Sequence, residues 1–370
     1  MIHANERVRH NEVKTMQTYI TAAKNSLAKI QNELYMSDRR ILREFANSDF
    51  PAYLWPFSVF IEAVSACVDA DIADDKTMAF YKTCIDEILP KYKDARTDNR
   101  VYNSTTDGGD PFYDDDAWIV LEYVRAAEVF PEKAAEYLKL AEETAEYCFS
   151  GEDEKLGGGI YWKEHKCNTK HTCINAPAII LACELYNVTK KDFYLKKAIS
   201  LYDFTKKYLL DTDDGVYFDN VNADTAKVDK AKYTYNSGTM IVSGVMLYEI
   251  TGEKQYLADA LFTAEGAYNH FGKLGDDGEY TFKSDHSWFN SWLLRGYEAL
   301  AKSCADLDKK YFASFYSAID TCVKELRPDG FFYKKWRKSE EKDKIELIQQ
   351  SGTLKCIAIL ISASAQKHAK

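Results

Sequence analysis

The sequence lacks a run of about 18 apolar residues, so no membrane-spanning helix is expected and no membrane partner is inferred. It also lacks a positive balance. Lys and Arg number 48 against 58 Asp and Glu, a formal charge of −10. That argues against gripping a phosphate backbone, so no nucleic-acid partner is expected, and it suits a neutral or cationic ligand. The opening Met1-Ile2-His3-Ala4-Asn5-Glu6-Arg7 has no apolar stretch of the secretory kind. A cytoplasmic location is therefore expected, the alternative being a periplasmic or secreted protein whose leader has been removed. There is no disulfide framework either. Nine cysteines is an odd count, and Cys67, Cys183 and Cys356 fall in apolar helical stretches, where thiols are small buried residues. His165-x-Cys167-x-x-x-His171-x-Cys173 holds metal-capable side chains at a spacing that fits no zinc pattern. Asp211-x-Asp213-Asp214-Gly215 lacks the remaining ligands of a calcium loop and reads as a turn. No metal and no cofactor are expected. Asn103-Ser104-Thr105 and Asn187-Val188-Thr189 fit the glycosylation pattern, which carries meaning only in a secreted chain.

What is abundant is aromatic: 26 Tyr, 19 Phe and 6 Trp. A surplus of flat rings in loops is what a sugar-binding cleft would use. Two kinds of helical segment alternate. Ala176–Tyr186, Thr239–Ile250 and Thr353–Ala365 are apolar nearly all round and must be buried on every side. Pro131–Tyr147, Asp192–Tyr208, Lys254–Tyr268 and Lys309–Val323 are amphipathic, with one face for water. The amphipathic helices open alike, Thr189-Lys190-Lys191-Asp192-Phe193-Tyr194-Leu195 echoing Thr251-Gly252-Glu253-Lys254-Gln255-Tyr256-Leu257. Apolar helices begin near residues 55, 114, 173, 236, 288 and 350, a period of roughly 50 to 60. Before each lies a long loop carrying a turn signal and aromatics, as in Gly157-Gly158-Gly159-Ile160-Tyr161-Trp162, Asp213-Asp214-Gly215-Val216-Tyr217, Asp276-Asp277-Gly278-Glu279-Tyr280 and Pro328-Asp329-Gly330-Phe331. Asp-Gly beside aromatic or β-branched residues predicts short β-hairpins. The pattern predicts an all-α (α/α)6 toroid, six helix hairpins in one domain over residues 1–370, with the aromatic loops gathered at one mouth. An open solenoid is the rival, but six units without an evident capping repeat favour closure.

The mouth then collects the starts of the inner helices: Trp55; Tyr113 with Asp114, Asp115 and Asp116, followed by Trp118; Asn175; Tyr235 and Asn236; Trp288 and Phe289. With Trp162 from the glycine-rich loop, these are the candidate site residues. Adjacent like charges need a reason. One is capping, because carboxylates at a helix start meet unpaired N–H groups and the positive end of the dipole. The other is chemical, because crowded carboxylates push one another's pKa values apart. Neighbouring helical side chains splay by about 100°. Asp114 and Asp115 can therefore stand roughly 5 to 6 Å apart, near the separation of a retaining glycosidase pair.

Tyr113-Asp114-Asp115-Asp116-Ala117-Trp118 resembles the Tyr-Asp-Asp-Asn-Ala-Trp motif of glycoside hydrolase family 76, the α-1,6-mannanases. Gly158-Gly159-Ile160-Tyr161-Trp162 is similar to the family's Gly-Gly-Ile-Trp-Trp, and Tyr235-Asn236-Ser237-Gly238-Thr239 to its Tyr-Asn-Gln-Gly-Thr. The resemblance runs over nearly the whole chain. It implies an (α/α)6 barrel and a retaining, endo-acting mannanase, with Asp114 as nucleophile and Asp115 as acid/base. It also implies an α-mannan-like oligo- or polysaccharide as partner; the protein is expected to be a monomer. Three departures bear on the neighbouring subsites: Asp116 where the family carries Asn, Ser237 where it carries Gln, and Trp288-Phe289-Asn290-Ser291-Trp292 where it has a Phe-Lys-Gly pattern. Other readings of the same toroid are a sugar epimerase, an unsaturated uronyl hydrolase, or a non-catalytic glycan-binding protein. Epimerases lean on histidines, and His286 is the only one near an inner helix start, His165 and His171 lying in a loop.

Overall fold

A computed structural model describes residues 2–97, 100–164, 168–276, 280–283, 286–339 and 344–369. Twelve α-helices run through them: α1 (Ile2–Glu33), α2 (Leu54–Asp69), α3 (Asp75–Thr83), α4 (Tyr113–Val129), α5 (Ala134–Ser150), α6 (Thr172–Thr189), α7 (Asp192–Leu209), α8 (Thr234–Thr251), α9 (Lys254–Phe271), α10 (Ser287–Ser303), α11 (Lys310–Lys324) and α12 (Leu347–Ala369). The even-numbered helices are the apolar ones. Each packs on the next, and α12 returns to α2, which closes the ring. The odd-numbered helices lie outside, α3 on α2, α5 on α4, α7 on α6, α9 on α8, α11 on α10 and α1 on α12. The protein is an (α/α)6 toroid, and its sixth hairpin is assembled from the first and last helices.

The division follows burial. In α2 every residue from Phe57 to Cys67 is buried, and α6 is buried without a break from Thr172 to Cys183. Removing such helices from water contributes about 25 cal/mol per Å² of apolar surface. Their axis is filled by a second apolar cluster, Val59, Trp118, Ile180, Val242, Trp288, Trp292 and Ile348, with at least one side chain from each inner helix. Small residues let the inner helices close up. A Cβ on Gly238 would lie 2.5 Å from the backbone of Trp292, and one on Gly352 would lie 2.4 Å from the backbone nitrogen of Trp288. The shared opening of the amphipathic helices is a helix-ending device. Thr189 and Thr251 donate to Leu185 O and Leu247 O, then accept from the N–H of Lys191 and Glu253. Between them Lys190 and Gly252 take left-handed φ values of 57° and 75°.

The loops at the mouth carry three small sheets: β1 (Tyr35–Met36) with β2 (Ile41–Leu42); β3 (Thr169–His171), β4 (Phe218–Asn222) and β5 (Val228–Lys232); and β6 (Gly272–Leu274) with β7 (Tyr280–Phe282). All pairings are antiparallel. The Asp-Gly signals predict them unevenly. Asp276-Asp277-Gly278-Glu279 does lie between β6 and β7, although residues 277–279 are outside the described residues. Asp213-Asp214-Gly215 closes a single bridge between Leu210 and Tyr217, and the hairpin forms downstream instead. There Asn222 Oδ1 accepts the N–H groups of Asp224 and Thr225, a side-chain-built turn, while Lys232 occupies the carboxylates of Asp211 and Asp214. Pro328-Asp329-Gly330 is a turn without strands, Gly330 N–H donating to Arg327 O.

Candidate active site

The mouth opens into a cavity of about 840 Å³ between the inner helix starts. Trp55, Asp114, Asp115, Trp118, Trp162, Tyr235, Trp288 and Phe289 all line it. One wall is a stack of rings. His286 lies parallel to Trp55 at 5.6 Å and packs on Phe289 at 4.1 Å, and Phe289 packs on Tyr235 at 4.2 Å. Across from it Trp162 packs between Phe112 and His171, at 5.0 and 5.1 Å. Trp118 and Trp288 meet edge to face at 5.2 Å and form the floor.

Asp114 and Asp115 stand in the first turn of α4, both half-buried. Asp114 is held from outside the helix: Trp162 Nε1–H donates to its Oδ2 at 3.1 Å and the Cys173 thiol donates to the same oxygen at 3.4 Å. Burial pushes its carboxyl up to about 6, against the pull of these two donors and of the helix-start N–H groups. Its Oδ1 is buried with no hydrogen-bond partner among the described residues. Burial, and then the charge of Asp114, push Asp115 well above the usual carboxylate range. The two carboxyls are adjacent in sequence and differ in their partners, Asp114 taking two side-chain donors and Asp115 none among the described residues.

Four of the sequence candidates are not on the cavity wall. Asp116 is fully buried; its Oδ1 accepts the backbone N–H of Tyr102 at 3.0 Å. Asn175 is fully buried and clamps Ile160, accepting its N–H and donating to its carbonyl, besides donating to His171 O. These two share a role with Ser237, which accepts Tyr217 N–H, and Gln350, which clamps both backbone groups of Phe332. Each is the fourth residue of its helix, α4, α6, α8 or α12, and each ties down the loop that leads to that helix. The polar residue expected to face a ligand instead satisfies loop backbone that burial would otherwise orphan. Tyr113 packs on Tyr147 at 4.9 Å and covers Gly151, where a Cβ would lie 2.7 Å from its ring. Asn236 is fully buried, with no partner for either amide atom among the described residues.

The cavity also holds residues that local sequence did not single out. Glu44 and Glu346 meet at one edge, brought together where the loop after β2 pairs with the loop before α12 through Phe45 and Glu346. Burial pushes Glu44 up to about 7, and Glu346 adds to the shift. Asp219, on β4, faces His171, whose Nδ1 is 3.6 Å from Asp219 Oδ2. Burial lowers His171, and it lowers His286 to about 4, so both rings are neutral near pH 7. His165 and Cys167 lie outside the described residues; His171 and Cys173 turn to the cavity. Among the described residues no helix is long and apolar enough to cross a membrane.

The chain is similar in structure to a family 76 glycoside hydrolase (mannosidase) of Bacteroides thetaiotaomicron, at 23% identity and a TM-score of 0.83, covering 94% of this chain and 99% of that one. A second family 76 enzyme, from a bovine strain of the same species, superposes with a TM-score of 0.82 at 25% identity, over 93% of this chain and 77% of that one. An α-1,6-mannanase of Salegentibacter, inactivated at two consecutive aspartates and solved with α-1,6-mannotriose, matches 93% of this chain and 99% of its own at 21% identity, with a TM-score of 0.78. In sequence, the mannan endo-1,6-alpha-mannosidase DCW1 of Candida glabrata is 28% identical over 185 residues, 45% of this chain and 40% of that protein. The match thus spans less than half of that relative's length. The profile of glycosyl hydrolase family 76 covers residues 18–369, and the chain belongs to that family.

Proposed function

We propose that the protein is a retaining glycoside hydrolase that cleaves α-mannosidic bonds within an α-1,6-linked mannan. The observation that carries this reading is the unequal pair in the aromatic cavity, Asp114 hydrogen-bonded by Trp162 and Cys173 and, beside it, Asp115, whose carboxyl burial pushes well above the usual carboxylate range. Asp114, the hydrogen-bonded carboxylate, attacks the anomeric carbon. Asp115 gives its proton to the departing oxygen, leaving a glycosyl ester on Asp114. Asp115, now a carboxylate, takes a proton from water as that water attacks the same carbon and frees Asp114. The rings of the two walls pack on the apolar C–H faces of the sugars. The relatives support the substrate class: one was solved with α-1,6-mannotriose, another is named a mannan endo-1,6-alpha-mannosidase.

Linear α-1,6-mannan incubated with the protein should yield a ladder of oligomers with retained anomeric configuration, and neither Asp114→Asn nor Asp115→Asn should release product. Mannose alone would mean exo action, and an unchanged polymer would end the mannanase reading. Epimerisation keeps a specific foothold, because two histidines, His171 and His286, line the cavity. Product carrying a new sugar configuration without any cleaved bond would favour it.

A further inference from the structure

Beneath the cavity floor lies a buried ion pair that the scheme above does not use. Glu62 of α2 and Lys355 of α12 are 6% and 2% exposed, with Nζ 2.6 Å from Glu62 Oε2. The same Oε2 accepts the indole N–H of Trp288, from α10, at 2.9 Å. The Lys355 ammonium also sits 4.0 Å from the ring centroid of Trp292. Three helices thus converge on one carboxylate oxygen. Such a pair contributes little net stability, because the desolvation of both charges offsets their attraction. Its structural effect is on Trp288. That ring is 1% exposed yet forms part of the cavity wall, and it meets Trp118 at 87° and Trp55 at 75°. A tilt of Trp288 would move both neighbours. Its backbone is already fixed by the close approach of α12 at Gly352, so the remaining freedom is side-chain rotation, which the bond to Glu62 removes.

We propose that Glu62 is a positioning residue: it locks the Trp288 ring and so sets the shape of the subsite floor beneath the sugar, while Lys355 holds the same carboxylate oxygen from α12. This rests on the glycosidase reading. Removing one charge alone would leave the other buried and unpaired, which unfolds proteins for reasons unrelated to the floor. The test therefore uses two charge-free pairs. Glu62→Gln with Lys355→Met keeps an acceptor for the indole; Glu62→Leu with Lys355→Met does not. In selectively labelled protein, the Trp288 indole N–H resonance should stay close to its parent position in the first and shift in the second. With α-1,6-mannotetraose, the first should keep KM within about threefold of the parent. The second should raise KM about tenfold with kcat changed less, since floor contacts act on bound substrate and transition state alike. Equal losses in both pairs, or parent-like KM and resonance in the Leu pair, would overturn the proposal. If the parent cleaves no mannan, the function fails first, and the indole resonance still decides whether Glu62 holds the ring. Should the Leu pair not fold, Trp288→Phe, which removes only the donor and part of the ring, should reproduce the KM effect; a parent-like KM there would equally refute it.

Discussion

In the mechanism proposed for this cavity, a residue's partners, more than its type, separate nucleophile from acid. Asp114 and Asp115 are chemically identical and adjacent, but the two donors reach only one of them. The pH dependence of kcat/KM follows. Asp114 must be ionised, so activity should fall as pH drops through about 6. Asp115 must be protonated, so activity should fall again as pH rises through its elevated value. A pH–rate profile that stays flat from 4 to 8 would contradict these roles. Trp162→Phe isolates one cause. A hydrogen bond to a charged group is worth about 1.5–3 kcal/mol, so losing it should lower kcat/KM at neutral pH roughly ten- to hundredfold. The ionised form of Asp114 loses support, so the acidic limb should move to higher pH in the same variant. A loss of rate without that move would assign Trp162 to stacking rather than to holding the carboxylate.

Elements were legible where the signal is periodic. The six apolar helices begin at 54, 113, 172, 234, 287 and 347, close to where hydrophobicity placed them, because a helix buried on all sides has few polar residues to mislead. Short-range signals were read less well. Asp116 and Asn175 carry the right chemistry for a ligand and sit at a helix start, and only the three-dimensional path of the preceding loop shows that they bind backbone. Glu44, Asp219 and Glu346 belong to no local pattern; pairings between distant loops bring them to the rim. The helix-start clamp makes a stability prediction. Burial pushes the Asp116 carboxyl well above the usual carboxylate range in the folded protein, and Oδ2 finds no partner among the described residues. Its folded pKa is raised, so folding is penalised as pH climbs past about 4, where the unfolded carboxyl ionises. Asp116→Asn should therefore raise Tm at pH 7, with a gain that shrinks as pH approaches 4. A gain independent of pH would mean that the carboxyl's ionisation is not the cause. The helix-ending device makes another. Lys190 holds a left-handed φ of 57° where the equivalent position is Gly252. Lys190→Gly should stabilise by about 1 kcal/mol, read as a rise in the urea midpoint at unchanged slope.

At the scale of the molecule, closure of the ring is what turns six separate helix starts into one cavity. Because α12 packs back on α2 and α1 covers α12, the chain's most distant segments stand side by side in the ring. Six units without a capping repeat pointed to this, since an open solenoid would expose the apolar flank of its last inner helix. Closure also decides what stands at the rim. Among the large apolar side chains that remain exposed are Tyr53 at 42%, Trp162 at 39% and Tyr233 at 37%, and all three line the cavity. They come from the loops before α2, α6 and α8, so they surround the opening rather than clustering on one side. Phe50, itself 44% exposed, extends the shelf by packing on Tyr53 at 5.4 Å. An exposed ring leaves apolar surface in water unless something covers it, and a glycan running out of the cavity would do so on both sides. For an enzyme acting inside a chain, Tyr53→Ala and Tyr233→Ala should each weaken binding of the outer sugars by about 1 kcal/mol, roughly fivefold in KM. The loss should appear with α-1,6-mannohexaose and be small with the trisaccharide, too short to reach the rim from the aspartates on both sides, while kcat should change little for either. A KM increase of equal size for both substrates would place these rings inside the central subsite, and no increase for either would remove the rim from the path of the chain.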